Sequence, residues 1–325
     1  MNCVTPLAYF EESFMKSSFP AIAAIGMVLA LACNAASAQS TVTVTQQGNG
    51  NTSYAEQVAL ALDASATIVQ IGDNNHAGGP GATSGGILQH DTTGTSALIQ
   101  QTGSGNNAGI TQDGARANFG PVEARITQLG NGNSATILQN IVTTSPSLVD
   151  QSGNGNIAAV QQLNSSDTGL RTLQSGTANR IDLVQQGGHF AGPRIEQYGE
   201  GNSVSAFANV SEGAPHIVQD GDFNSATTYQ VAGSESVVEI LQQGSRNLAD
   251  ANQSGNANLA DITQDGNDNL AKVTQTSASD SYPGNLATII QAGNSNTAIV
   301  RQVGQGYVAN VSQVGNGNTT SINQH

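Results

Sequence analysis

Charge is scarce in this 325-residue chain: Asp, Glu, Lys and Arg together make up 10% of it, aromatics 4%, and tryptophan is absent. Without large aromatic anchors a thick core is excluded, and Ala, Val, Ile and Leu must supply a thin one. Basic residues are the rarest charges, nine Lys plus Arg against 23 acids, for a formal charge of −14. Arg116, Arg125, Arg171, Arg180, Arg194, Arg246, Lys272 and Arg301 stand singly. Phosphate binding needs clustered cations, so nucleic acid is excluded as a partner. The acidity instead suits solubility during export. Both cysteines, Cys3 and Cys33, lie near the N-terminus. Past residue 38 disulfides and thiol chemistry are therefore excluded, and no apolar run there is long enough to cross a membrane as a helix.

The N-terminus has the order of an export signal. Met15-Lys16 opens a short basic region, residues 21–32 are apolar, and Ala36-Ser37-Ala38 is a small-residue cleavage site before Gln39. Met15 is the expected start. Cys33 after Leu31-Ala32 offers lipid attachment as a competing reading. The expected division is an extension plus signal peptide over 1–38 and one repeat domain over 39–325.

Gln, Asn, Ser and Thr fill the space that charged residues leave, alongside 38 glycines. They recur. The pattern Gln-x-Gly-x-x-Asn starts at Gln46, Gln70, Gln101, Gln128, Gln151, Gln174, Gln197, Gln219, Gln242, Gln253, Gln264, Gln291 and Gln313. From Gln128 to Gln264, leaving out Gln253, the starts are 22 or 23 residues apart. A second Gln usually follows by eleven, so each unit is two strands of similar design, and Gln253 belongs to a second half. Periods of this size mean a solenoid or array.

Within each half the alternation has period two. Asn258, Ala260, Ile262 and Gln264 share one face, and Leu259, Asp261 and Thr263 the other. Charged residues keep to the second parity, so the face carrying Gln and Asn is the inside. A buried amide is costly unless it is hydrogen-bonded. Stacking identical units about 4.8 Å apart lets each amide bond its own copy above and below. The expected ladder comprises Gln128, Asn133 and Gln139; Gln151, Asn156 and Gln162; Gln174, Asn179 and Gln185; Gln219, Asn224 and Gln230; Gln242, Asn247 and Gln253; Gln264, Asn269 and Gln275; Gln291, Asn296 and Gln302; and Gln313, Asn318 and Gln324. Gly48, Gly130, Gly153, Gly176, Gly199, Gly221, Gly244, Gly266, Gly293 and Gly315 are the expected turn glycines, where positive φ is needed. The fold class follows: all-β, a two-strand-per-rung β-solenoid of about twelve rungs spanning about 58 Å. Insertions at His76–Gly86, Asn118–Glu123 and Thr276–Gly284 are expected to be edge loops.

The unit Ser-x5-Gln-x-Gly-x-Gly-Asn-x-Ala-x3-Gln resembles the signature of the curlin family. Residues 128–139 match it from the first Gln onward, as do residues 151–158, and residues 313–324 match with Thr320 in place of Ala. The resemblance covers about residues 40 to 324. It implies a subunit of curli, the amyloid fibres that Gram-negative bacteria build outside the outer membrane for attachment and biofilm. It further implies a nucleator subunit and an outer-membrane export pore as partners. Two departures stand out: twelve units where familiar members have about five, and almost no Gly-rich segment before the first. Intact ladders favour the major-subunit type over a nucleator.

With no capping unit visible in the sequence, the end rungs should template further copies as cross-β. Asp73, Asp113, Asp220, Asp265 and Asp268 near turns read either as gatekeepers against aggregation or as ordinary turn residues. No Gly-rich loop is followed by Lys-Ser or Lys-Thr, and Asn replaces the Asp that calcium nonapeptides require. His76, His90, His189, His216 and His325 are isolated, so neither a cofactor, a metal nor catalysis is expected. The alternative function is a soluble secreted solenoid binding ice or glycans through outward Thr41, Thr43, Thr45, Thr127, Thr263, Thr274 and Thr288.

Overall fold

The computed structural model describes residues 40–58, 61–78, 85–118, 120–277 and 283–325. The expected signal segment, 1–38, lies outside them. The described chain is all-β with no helix, a β-solenoid of twelve turns. One strand of each rung lies in a twelve-stranded parallel first sheet, from Thr41–Gln47 to Val308–Val314. The return strands form a fourteen-stranded parallel second sheet, from Thr52–Ser53 to Thr319–Gln324. The second has more strands because it is split in two in each of the first two rungs.

Register follows the repeat residue for residue. Gln128 pairs with Gln151, Gly130 with Gly153 and Asn131 with Asn154. Alternation sets which side is buried: in Leu259–Asn267, Ala260, Ile262 and Gln264 are buried while Leu259 is exposed and Asp261 and Thr263 half-buried. The core is a narrow column of Ala, Ile, Val and Leu between the sheets, running from Ala66 to Val311. No charged side chain is buried among the described residues.

The insertions are shorter than expected. His76–Ala77 is a strand bonded to Thr52–Ser53, Gly86 opens the strand Gly86–His90, and Val122 and Glu123 begin Val122–Asn131. Likewise Thr276 ends the strand Leu270–Thr276. In each case the strand extends for as long as the neighbouring rung offers backbone partners.

Candidate self-assembly site

The functional candidate is the set of amide columns and the two edges where they stop. In the first sheet one column is continuous. Gln46 Nε2 donates to Gln70 Oε1, and the same step repeats through Gln101, Gln128, Gln151, Gln174, Gln197, Gln219, Gln242, Gln264 and Gln291 to Gln313, at 2.6–2.9 Å. From Gln70 onward, the other Nε2 proton crosses to a second-sheet carbonyl, as from Gln128 to Asn107 and Gln174 to Ile157, both 3.0 Å. Each buried amide thus ties its rung to the next and one sheet to the other, which offsets its desolvation.

Asparagine forms a second column of opposite sense. The backbone N–H of each ladder Asn donates to the Oδ1 of the Asn one rung before, from Asn75 on Asn51 to Asn318 on Asn296, at 2.9–3.1 Å. Nδ2 reaches forward to the next rung's glycine carbonyl, as from Asn133 to Gly153 at 2.8 Å. Glutamine amides therefore donate toward rung 12, while asparagine carbonyls accept from that direction. The stack is polar.

The motif glycines do more than turn the chain. All the expected ones have positive φ, between 97° and 124°. A Cβ on Gly153 would also lie 2.0 Å from the carbonyl oxygen of Gly176, and the same collision recurs from Gly48 to Gly293. Two residues on, the backbone is again left-handed, yet Ala178, Phe223, Arg246, Asp268 and Ser295 occupy it as well as Gly132 and Gly155. A Cβ there meets nothing at Gly132 or Gly155. At the first position φ lies beyond the left-handed well that these residues occupy and a Cβ would strike the next rung, so both demand glycine there.

Sequence reasoning missed part of the ladder. Gln46, Gln70, Gln101 and Gln197 belong to the first-sheet column, and Asn51, Asn75, Asn106 and Asn202 to the asparagine column. The repeated motif marks all of them. Gln57, Gln89 and Gln112 join the second-sheet column below Gln139. The irregular spacing of the first rungs hid these.

One expectation needs correction: the second-sheet ladder is not intact. It runs from Gln57 to Gln162 and again from Gln230 to Gln324. Between them Gln185 makes no amide–amide bond. Gln162 Nε2 turns to the Thr168 carbonyl at 2.8 Å, Gln185 Nε2 turns to the Gly187 carbonyl at 3.1 Å, and Ala208 stands where the next Gln would be. Gln185 Oε1 and Gln230 Oε1 are left buried without partners. Ala208→Gln should therefore raise stability by about 1 kcal/mol, read as a higher denaturant midpoint at unchanged slope. A lower midpoint would mean that the ladder geometry cannot accept a glutamine at this rung.

The outer faces carry the charges. Arg180–Asp182, Arg246–Asp268 and Lys272–Asp250 are ion pairs at 2.7–2.9 Å. The bond to Arg246 holds Asp268 below the usual carboxylate range. Asp73 accepts from the Asn49 backbone, and Asp113 holds His90, whose pKa it raises. Burial, and then Glu239 one rung away, push Asp261 upward. The outward threonines form no continuous array, since Thr127 stacks between Gln100 and Asp150 and Thr274 lies on the other sheet. Among the described residues no three His, Cys, Asp or Glu gather as a metal site.

No curated protein matches the chain. A family match falls within the upper part of the stack, over the rungs that hold Gln253, Gln264 and Gln275. Residues 244–276 match the sequence model of the Curlin associated repeat, so the chain carries a curlin-associated repeat.

Proposed function

We propose that residues 39–325 form a secreted structural subunit that polymerises end to end into curli-type amyloid fibres, serving adhesion and biofilm matrix as a major subunit does. Residues 1–38 are then removed on export, and a nucleating subunit and an outer-membrane pore are the other partners. The observation that carries this reading is the pair of unpaired edges among the described residues. At rung 12, Gln313 has no further glutamine to donate to and turns its Nε2 to Thr320 Oγ1 at 3.1 Å. At rung 1, Gln46 has no glutamine before it to accept from. Each column is polar and keeps its own sense through the stack, so the rung-12 edge of one copy complements the rung-1 edge of the next. That complementarity generates an open filament.

The test is to incubate protein starting at residue 39 alone and examine it by electron microscopy, fibre diffraction and a cross-β dye. Stained fibres with a meridional spacing near 4.8 Å are expected. Combined Gln313→Ala, Asn318→Ala and Gln324→Ala should slow elongation severalfold by removing the donors and acceptors of one edge. A monodisperse, unstained protein would refute the reading and favour the surface-binding alternative.

A further inference from the structure

On the outer face of the first sheet, one column of side chains passes through Arg171, Arg194, His216, Glu239 and Asp261 on five successive rungs. Its charges run from basic to acidic along the stack. Within the column Arg194 is already paired, with Glu196 on its own strand, as Arg180–Asp182 and Lys272–Asp250 are paired on the second sheet. Arg171, Glu239 and Asp261 make no ion pair within the chain among the described residues, and Arg171 and Arg194 stack as like charges. Beside the column, on the same face, a second one runs through Leu173, Glu196, Val218, Leu241 and Thr263, all half-buried.

A two-fold axis lying along the strand direction at the level of His216, in the plane between two such sheets, reverses the stack and keeps the strands aligned. It maps the column onto itself. Rung 6 then meets rung 10 and rung 7 meets rung 9, so Arg171 meets Asp261, Arg194 (already bonded to Glu196) meets Glu239, and Val218 packs on its own copy. Facing sheets stand about 10 Å apart, within reach of Arg and Glu side chains. Two contacts oppose this: Glu196, which keeps its own Arg194, faces the copy's Leu241, and Asp220 faces its own copy at the exposed edge, where repulsion is screened. We propose that this face is a self-association surface on which a second copy of the chain packs antiparallel, with Arg171 against the partner's Asp261 and Arg194 against the partner's Glu239. The interface is isologous, so each pair occurs twice. It joins stacks side by side and does not depend on end-to-end growth. The raised pKa of Asp261 fits a carboxylate lacking a cation that the partner would supply.

Past residue 38 the chain has no cysteine, so single ones can report proximity. His216→Cys places a thiol on the axis. Thr227→Cys, exposed at the same level on the second sheet, is the control. In an end-to-end stack equivalent residues are twelve rungs apart, about 58 Å, so a short bis-maleimide can join them only side by side. The expected result is a cross-linked dimer from His216→Cys and none from the control. Adding Arg171→Glu should lower the yield about tenfold, since it turns two attractions into repulsions, and Arg171→Glu with Asp261→Arg should restore it. The proposal is overturned by no cross-link above control, by a yield indifferent to the Arg171→Glu change, or by a cross-link that forms only when dextran sulfate is added, which would assign the basic half to a polyanion. Microscopy of the same samples separates the two readings: cross-linked dimers without fibres refute polymerisation alone, and fibres without cross-links refute the lateral contact alone.

Discussion

Protein carrying Gly315→Ala will fold and fail to elongate, whereas Gly153→Ala will not fold stably. The two glycines have nearly the same backbone, φ +109° at Gly315 and +107° at Gly153, so the strain of adding a Cβ is shared. It costs about 1 kcal/mol at each. What differs is the neighbour. A Cβ at Gly153 lies 2.0 Å from the Gly176 carbonyl oxygen, while at Gly315 the nearest atom is Asn318 Nδ2 at 3.6 Å. Gly153→Ala must push two rungs apart, breaking amide bonds on both sides, for a loss of about 3–5 kcal/mol. Gly315→Ala meets such a clash only when another copy's Gly48 is brought onto it. Thermal unfolding of both variants and seeded growth of Gly315→Ala are the measurements. Normal fibre growth by Gly315→Ala would mean that copies do not join through this edge in the register of the internal rungs.

Gln174→Ala should cost about 3 kcal/mol. Gln174 accepts from Gln151 at 2.7 Å, donates to Gln197 at 2.9 Å and donates to the Ile157 carbonyl at 3.0 Å. Removing it strands a donor below, an acceptor above and a carbonyl across, all away from water. Ala208 is the natural comparison, because there the chain already tolerates the loss of one second-sheet glutamine, with orphaned oxygens at Gln185 and Gln230. Denaturant unfolding of Gln174→Ala would decide the matter: a change within experimental error would show that the first-sheet column fixes register without adding stability.

Most of the rung was legible in the sequence because its two signals are local and repeated. The parity of Ala260, Ile262 and Gln264 gives the buried face, and Gln-x-Gly-x-x-Asn gives the length of each arc. The interruption at Ala208 was legible in principle as a missing glutamine eleven residues after Gln197, but it falls between motifs that match well. The splitting of the first two second-sheet strands was hidden, since their spacing departs from the period that exposes the others.

Sequence alone determined the β class, the inward face, the repeat length and the identity of most of the stacked amides, since alternation and periodicity act between neighbours along the chain. Tertiary structure alone decided three things: the direction in which each column donates, the atom each motif glycine would strike, and which outward charges meet on adjacent rungs. Each of these depends on contacts between residues some 22 or more positions apart. Such contacts exist only once the rungs are set in register.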